Sequence, residues 1–178
     1  MAARLCAGGA FTSKEVIIEG QDNEVAVKVS ETTVLPFSWF EWSLSQLLVW
    51  DTAGEELYRA MTKSFFKGAA GAIIVYDVTN AKSLSNVSGW VDDFRSHNPD
   101  GVIVVAGNKC DMPPEKHRVT DDDVDDVMAR MRPQIEADGG ALVHMRVSAL
   151  TGEGVQQSFS SIALQLAERH LGLKPMSP

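Results

Sequence analysis

The sequence predicts an α/β domain, a mostly parallel central sheet flanked by helices. Two observations predict it. Short runs rich in β-branched residues alternate along the chain with longer stretches of helical apolar spacing. Only the first two runs follow each other without a helical stretch between them, which predicts one antiparallel hairpin beside parallel strands.

The elements follow in order. EVAVKV (24–29) alternates as a strand exposed on one face does, and LSQLLVWD (44–51) is a second strand, apolar towards its end. In ELYRAMTKSFFKGA (56–69), Leu57, Ala60, Met61, Ser64 and Phe65 share a helical stripe. GAIIVYDV (71–78) and GVIVVAGN (101–108) read as strands buried on both faces, and ALVHMRVS (141–148) as a fifth strand. SLSNVSGWVDDFRSH (83–97) places Leu84, Val87, Trp90, Val91 and Phe94 on one face. TDDDVDDVMARMRPQIEA (120–137) opens with Thr120 and, three residues on, Asp123, a capping-box pattern. Its acidic run reads as a solvated helix start. VQQSFSSIALQLAERHL (155–171) aligns Val155, Phe159, Ile162, Leu166 and either His170 or Leu171. No repeat or linker interrupts the chain, so 1–178 reads as a single domain.

Composition narrows the function classes. A 178-residue chain with 44 % hydrophobic residues can bury a real core. A net charge of −8 argues against nucleic acid or an anionic lipid surface as partner. No apolar run approaches the roughly 20 residues that cross a bilayer. Cys6 and Cys110 are far apart, which fits reduced thiols in the cytoplasm. His97, His117, His144 and His170 share no metal-ligand spacing.

Ligands of open α/β sheets bind beyond the carboxyl ends of the strands. Three strand ends carry chemistry here: DTAGEE (51–56), NKCD (108–111) and SAL (148–150). In this order they resemble the Ras-like small GTPases, the Rab branch most closely, and VYDVTNAKSLSNVSGW (75–90) is similar to the Rab strand-to-helix passage. The resemblance runs from about residue 24 to residue 171. It implies a G domain of the P-loop NTPase class, binding GTP or GDP with Mg²⁺.

The resemblance also implies roles. Asp111 would accept hydrogen bonds from the guanine N1–H and amino group, a two-point contact that favours guanine over adenine. Asn108 would tie the base loop to its neighbours. Lys109 would lay its stem along base and ribose. Ala149 would offer its N–H to the guanine O6, with Ser148 bracing the turn and Leu150 completing the motif. Asp51 would hold Mg²⁺ through water, and Gly54 would offer its N–H to the γ-phosphate. Taken singly, Asp111 and Gly54 also read as plain turn residues.

The chain departs from the family pattern in four places. No G-x-x-x-x-G-K-[ST] occurs; GGAFTSK (8–14) has the residue types in the wrong order. Glu55 stands where the family's water-orienting Gln is usual. It is the candidate catalytic residue, with helix capping as the alternative. The stretch before 24–29, EVIIEGQDN, has no Thr to reach Mg²⁺. Finally, Phe37, Trp39, Phe40 and Trp42 crowd the hairpin tip. They read either as one packed face of a longer strand or as a surface for a protein partner.

A narrower resemblance, carried by FTSK (11–14), EVAVKV and DTAGEELYRA (51–60), is to the Rab-like GTPase subunit of intraflagellar transport. It places Met1 inside the family's first helix, so the chain is expected to be N-terminally incomplete, without its first strand and phosphate loop. The rival expectation is real loss. The expected function is a GTP/GDP switch in intracellular or intraflagellar transport, with protein partners at the switch region and hairpin tip. The alternative is a pseudo-GTPase scaffold that neither binds nor hydrolyses nucleotide. With no cysteine near the C-terminus, no prenyl anchor is expected. The expected location is the cytoplasm or the cilium.

Overall fold

The computed structural model describes the backbone of residues 24–29, 47–51 and 66–171, and side chains at 66–166. A five-stranded sheet organises them, with spatial order β2-β1-β3-β4-β5. The strands are β1 (Glu24–Val29), β2 (Leu47–Asp51), β3 (Gly71–Asp77), β4 (Val102–Asn108) and β5 (Ala141–Arg146). The helices are α1 (Ala81–Arg95), α2 (Asp121–Ala137) and α3 (Val155–Leu171).

Strands β3, β4 and β5 are parallel, and β1 pairs antiparallel with β2. The predicted hairpin and parallel core are both present. One pairing differs from expectation. Without the family's first strand between them, β1 and β3 would each be short of a ladder partner. Instead β1 pairs antiparallel with β3, Glu24–Val27 against Gly71–Ile74. Backbone N–H and C=O groups along a strand edge need partners, and β1 supplies them there.

The alternation of side chains explains the layers. Ala72, Ile74 and Tyr76 of β3 face one way and Ile73 the other. The first face packs with Ile103, Val105 and Leu142 against α1 and α2. The α1 stripe of Leu84, Val87, Trp90, Val91 and Phe94 is buried, as its spacing predicts. The opposite face, with Val102, Val104 and Ala106, packs against Phe159, Ile162 and Leu166 of α3. Strands covered on both faces have no polar side, which is why β4 reads as a nearly unbroken apolar run.

Helix starts follow local chemistry. Thr120 caps α2 and forms the predicted box with Asp123: Asp123 N–H donates to Thr120 Oγ1 (3.2 Å), and Thr120 N–H to Asp123 Oδ2 (2.9 Å). Asp121, Asp122 and Asp123 are exposed, as a solvated first turn requires. The Asn80 side chain caps α1, accepting from Lys82 N–H at 3.1 Å. Of the helical stretch at 56–69, only 66–69 lie within the described residues, where Phe66 and Ala69 are buried. The aromatic residues Phe37, Trp39, Phe40 and Trp42 lie outside them.

Candidate functional site

The carboxyl ends of β3, β4 and β5 meet at one edge of the sheet. Asp77 stands opposite Asn108, and Gly107 opposite Arg146. Beyond that edge the NKCD and SAL segments are joined. The Val147 N–H donates to the Gly107 carbonyl (2.9 Å), and the Cys110 N–H to the Val147 carbonyl (3.1 Å). The two loops therefore continue the β4–β5 ladder past its regular end.

Side chains complete the junction. Asn108 Oδ1 accepts from the Lys109 N–H (2.8 Å) and from the Ala149 N–H across the loops (3.0 Å). Ser148 is fully buried and donates its hydroxyl to Asp111 Oδ1 at 2.5 Å. The same Ser148 Oγ accepts the Thr151 N–H (3.1 Å), while the Ser148 N–H donates to the Glu153 carbonyl (2.8 Å). A buried hydroxyl needs its partners satisfied, and Ser148 finds them in both loops. Asp111 and Ala149 themselves are exposed, and Leu150 is 84 % exposed.

The site thus holds an exposed carboxylate on a braced turn, with an exposed residue's backbone N–H on the facing loop. A planar ligand with adjacent donors on one edge and an acceptor beside them suits such a pair, and the guanine edge has that pattern. The donor set fits a purine of this kind. Ala149 N–H already serves Asn108, so a base acceptor there would share or displace that bond.

Lys109 has left-handed backbone, φ 67, the only such non-glycine among the described residues. A residue with a Cβ pays roughly 1–2 kcal/mol for this conformation. Three contacts hold it: its N–H on Asn108, its carbonyl accepting the Met112 N–H (3.0 Å), and its ammonium 2.5 Å from Asp77 Oδ2. Burial acts to raise the Asp77 carboxyl, but hydrogen bonds from Lys109 and Thr79 outweigh it, and the pKa is lowered.

The remaining loop geometry depends on glycine. Gly154 has φ 70, and a Cβ there would stand 2.3 Å from the Arg146 carbonyl oxygen. Gly107 leaves room for the Tyr76 hydroxyl, which a Cβ would meet at 2.6 Å. Tyr76 is bonded to His144 Nε2 at 3.0 Å, and burial pushes its hydroxyl up to about 12, against the opposing effect of Arg146. The Cys110 thiol is raised, first by burial and then by Glu153 and Asp111.

Of the residues expected at the site, Asn108, Lys109, Asp111, Ser148 and Ala149 come together as one hydrogen-bonded unit, with Leu150 on the same loop. Asp51 ends β2, and its register is level with Val25 and Ile73. That is four residues short of the Asp77–Asn108 level, about 13 Å along the strands, and two strands across from β3. Gly54 and Glu55 lie outside the described residues, as does the Asp51 side chain. The described residues therefore bring together those expected beside the base, while those expected beside the phosphates and Mg²⁺ lie apart from them or outside the described residues. Asp77, Thr79 and Gly154 were not singled out by motif. Their signals were the strand-end Asp-x-Thr beside NKCD and the Gly-x-Gly after SAL.

Comparison with known proteins agrees with the motif order. A family model described as Ras family matches residues 23–168. Ras-related protein Rab-4B of Homo sapiens is 34 % identical over 119 residues, which is 66 % of this chain and 51 % of that protein. Ras-related protein Rab-4 of Dictyostelium discoideum is 38 % identical over 115 residues, 64 % of this chain and 51 % of that protein. The chain spans about half the length of these curated relatives.

Proposed function

The chain belongs to the Ras family, and from that premise we propose that it is a Rab-like small GTP-binding protein, acting as a GTP/GDP switch in intracellular transport. The observation that carries the reading is the braced base loop, in which Ser148 fixes Asp111 and Asn108 fixes Ala149. Asp111 would take the N1–H and amino group of guanine. Ala149 N–H would face the O6. Lys109 would cover the base with its stem, and Asn108 would hold the two loops at the spacing the purine needs.

Selectivity follows from the sign of the contacts. A carboxylate that accepts two hydrogen bonds suits guanine and leaves the adenine edge mismatched. The hydrolytic role proposed for Glu55, the Mg²⁺ role of Asp51 and the γ-phosphate role of Gly54 rest on the DTAGEE motif alone. A role in intraflagellar transport, and with it a ciliary location, rests on the FTSK, EVAVKV and DTAGEELYRA segments. Protein partners at the switch region and at the 35–43 aromatic segment belong to the same proposal.

The experiment is direct. The purified chain is denatured and the supernatant is resolved by anion exchange. Bound GDP or GTP is expected after incubation with nucleotide and Mg²⁺ in excess, since no G-x-x-x-x-G-K-[ST] loop occurs in the sequence to retain it through purification. An empty chain that also fails to take up GDP with Mg²⁺ in excess would sink the switch reading for this chain and favour a scaffold subunit.

A further inference from the structure

We propose that Asp77 is a positioning residue for the purine: it fixes Lys109 from the neighbouring strand, so that the lysine stem stands ready as a wall of the base site. The proposal rests on the guanine-binding reading above and names a residue outside the NKCD and SAL motifs.

The geometry is a tether at both ends of one side chain. At its backbone end, Lys109 is held in a left-handed conformation by the Asn108 carboxamide. At its far end, the ammonium lies 2.5 Å from Asp77 Oδ2. Asp77 is itself fixed. Its Oδ1 accepts both the N–H (2.8 Å) and the hydroxyl (2.7 Å) of Thr79, and its own N–H donates to Ser83 Oγ (2.9 Å). The β3–β4 register sets Asp77 directly opposite Asn108. The carboxylate is 14 % exposed and the lysine 39 %, so the pair is sheltered at its anionic end and open along the lysine.

A free lysine at a strand end samples many rotamers, and a ligand that needs one of them must order it. Tethering the ammonium does that ordering before the ligand arrives. An alternative is that the pair serves only the fold. The two differ in whether Asp77 acts on the ligand through Lys109.

The test follows release of methylanthraniloyl-GDP from the full chain with Mg²⁺ present, with thermal melts of every variant by circular dichroism. Asp77→Asn is expected to speed release by about 2- to 12-fold, the range for freeing one rotamer-rich side chain. Thr79→Val, which keeps its N–H bond to Asp77, is expected to shift release the same way by a smaller factor. In a Lys109→Ala background, Asp77→Asn is expected to add nothing, because the residue it acts through is gone.

Wild-type release rates in a folded Asp77→Asn variant would overturn the proposal and leave the guanine reading standing. So would effects of Asp77→Asn and Lys109→Ala that simply multiply. Should Asp77→Asn fail to fold, Thr79→Val decides: unchanged release in that folded variant overturns the proposal. A wild-type chain that takes up no analogue overturns the guanine reading and this proposal with it.

Discussion

Asn108 shows how much one side chain settles at this sheet edge. Its carboxamide oxygen serves two backbone donors, Lys109 and Ala149, on two different loops. Asn108→Ala is expected to cost about 1 kcal/mol, since water replaces the lost acceptor at the exposed Ala149 amide. Hydrogen exchange should speed up at both amides relative to the β4 interior, and unchanged exchange at Ala149 would refute the account. Asp77 gives a prediction in pH. Its folded pKa is lowered, so the unfolded chain binds the proton more readily. Its stabilising contribution is therefore complete above the ordinary carboxylate pKa of about 3.9 and is lost as pH falls through the lower folded value. Asp77→Asn should flatten the acid limb of a melting-temperature profile measured from about pH 5 downward. An identical slope in the variant would contradict the assigned contacts. The strand-end Asp in VYDVT was visible in the sequence, but nothing in spacing joins residue 77 to residue 109. Only the register of β3 on β4 does.

At the scale of elements, local chemistry accounts for most of what forms. The α2 start is the clearest case, since Thr120 and Asp123 each accept from the other's backbone. Thr120→Ala is expected to lower stability by about 1 kcal/mol in urea unfolding, with Thr120→Ser near the parent. Strand ends were less legible. The run read as 141–148 is a strand only to Arg146; Val147 still bonds Gly107 and Cys110 across the loops, and the chain turns at Ser148, which bonds Glu153 and Gly152. Helix α1 begins at Ala81 and not at residue 83, because the Asn80 cap acts ahead of the first apolar residue. Caps compete with hydrophobic spacing for the boundary, and spacing alone places the boundary late. The α3 range, 155–171, is the one read from its apolar spacing; Val155, Phe159, Ile162 and Leu166 pack on the sheet, and the side chains of His170 and Leu171 lie outside the described residues.

At the scale of the molecule, two apolar layers clamp the sheet, and they carry its stability. Ile162 is fully buried, and a Cβ on Gly71 would stand only 2.7 Å from its Cδ1. Ile162→Ala is expected to cost about 2–5 kcal/mol, the range for a cavity under a packed helix. Leu164, two residues away and 60 % exposed, should change stability by less than about 0.5 kcal/mol on the same substitution. Equal losses at the two positions, measured by chemical denaturation, would show that α3 does not seat as described. The pairing of β1 with β3 is a feature of the sheet that neither periodicity nor family resemblance indicated. A strand's alternation says which residues face the core. It says nothing of which edge the strand will join.

What the sequence by itself determined is therefore local: the run of strands and helices from 71 to 171, the α2 cap, and the apolar stripes of α1 and α3. These depend on neighbours within a few residues, which a periodic pattern or a four-residue motif records. The tertiary structure alone decided which distant groups share a bond. It joined Ser148 to Asp111, Ala149 to Asn108 and Asp77 to Lys109, pairs separated by 32 to 41 residues. It also set β1 between β2 and β3 and left Asp51 four residues short of the base-loop level. Such contacts follow from strand register and crossover, and register is settled by the summed packing of both sheet faces, not by any one segment.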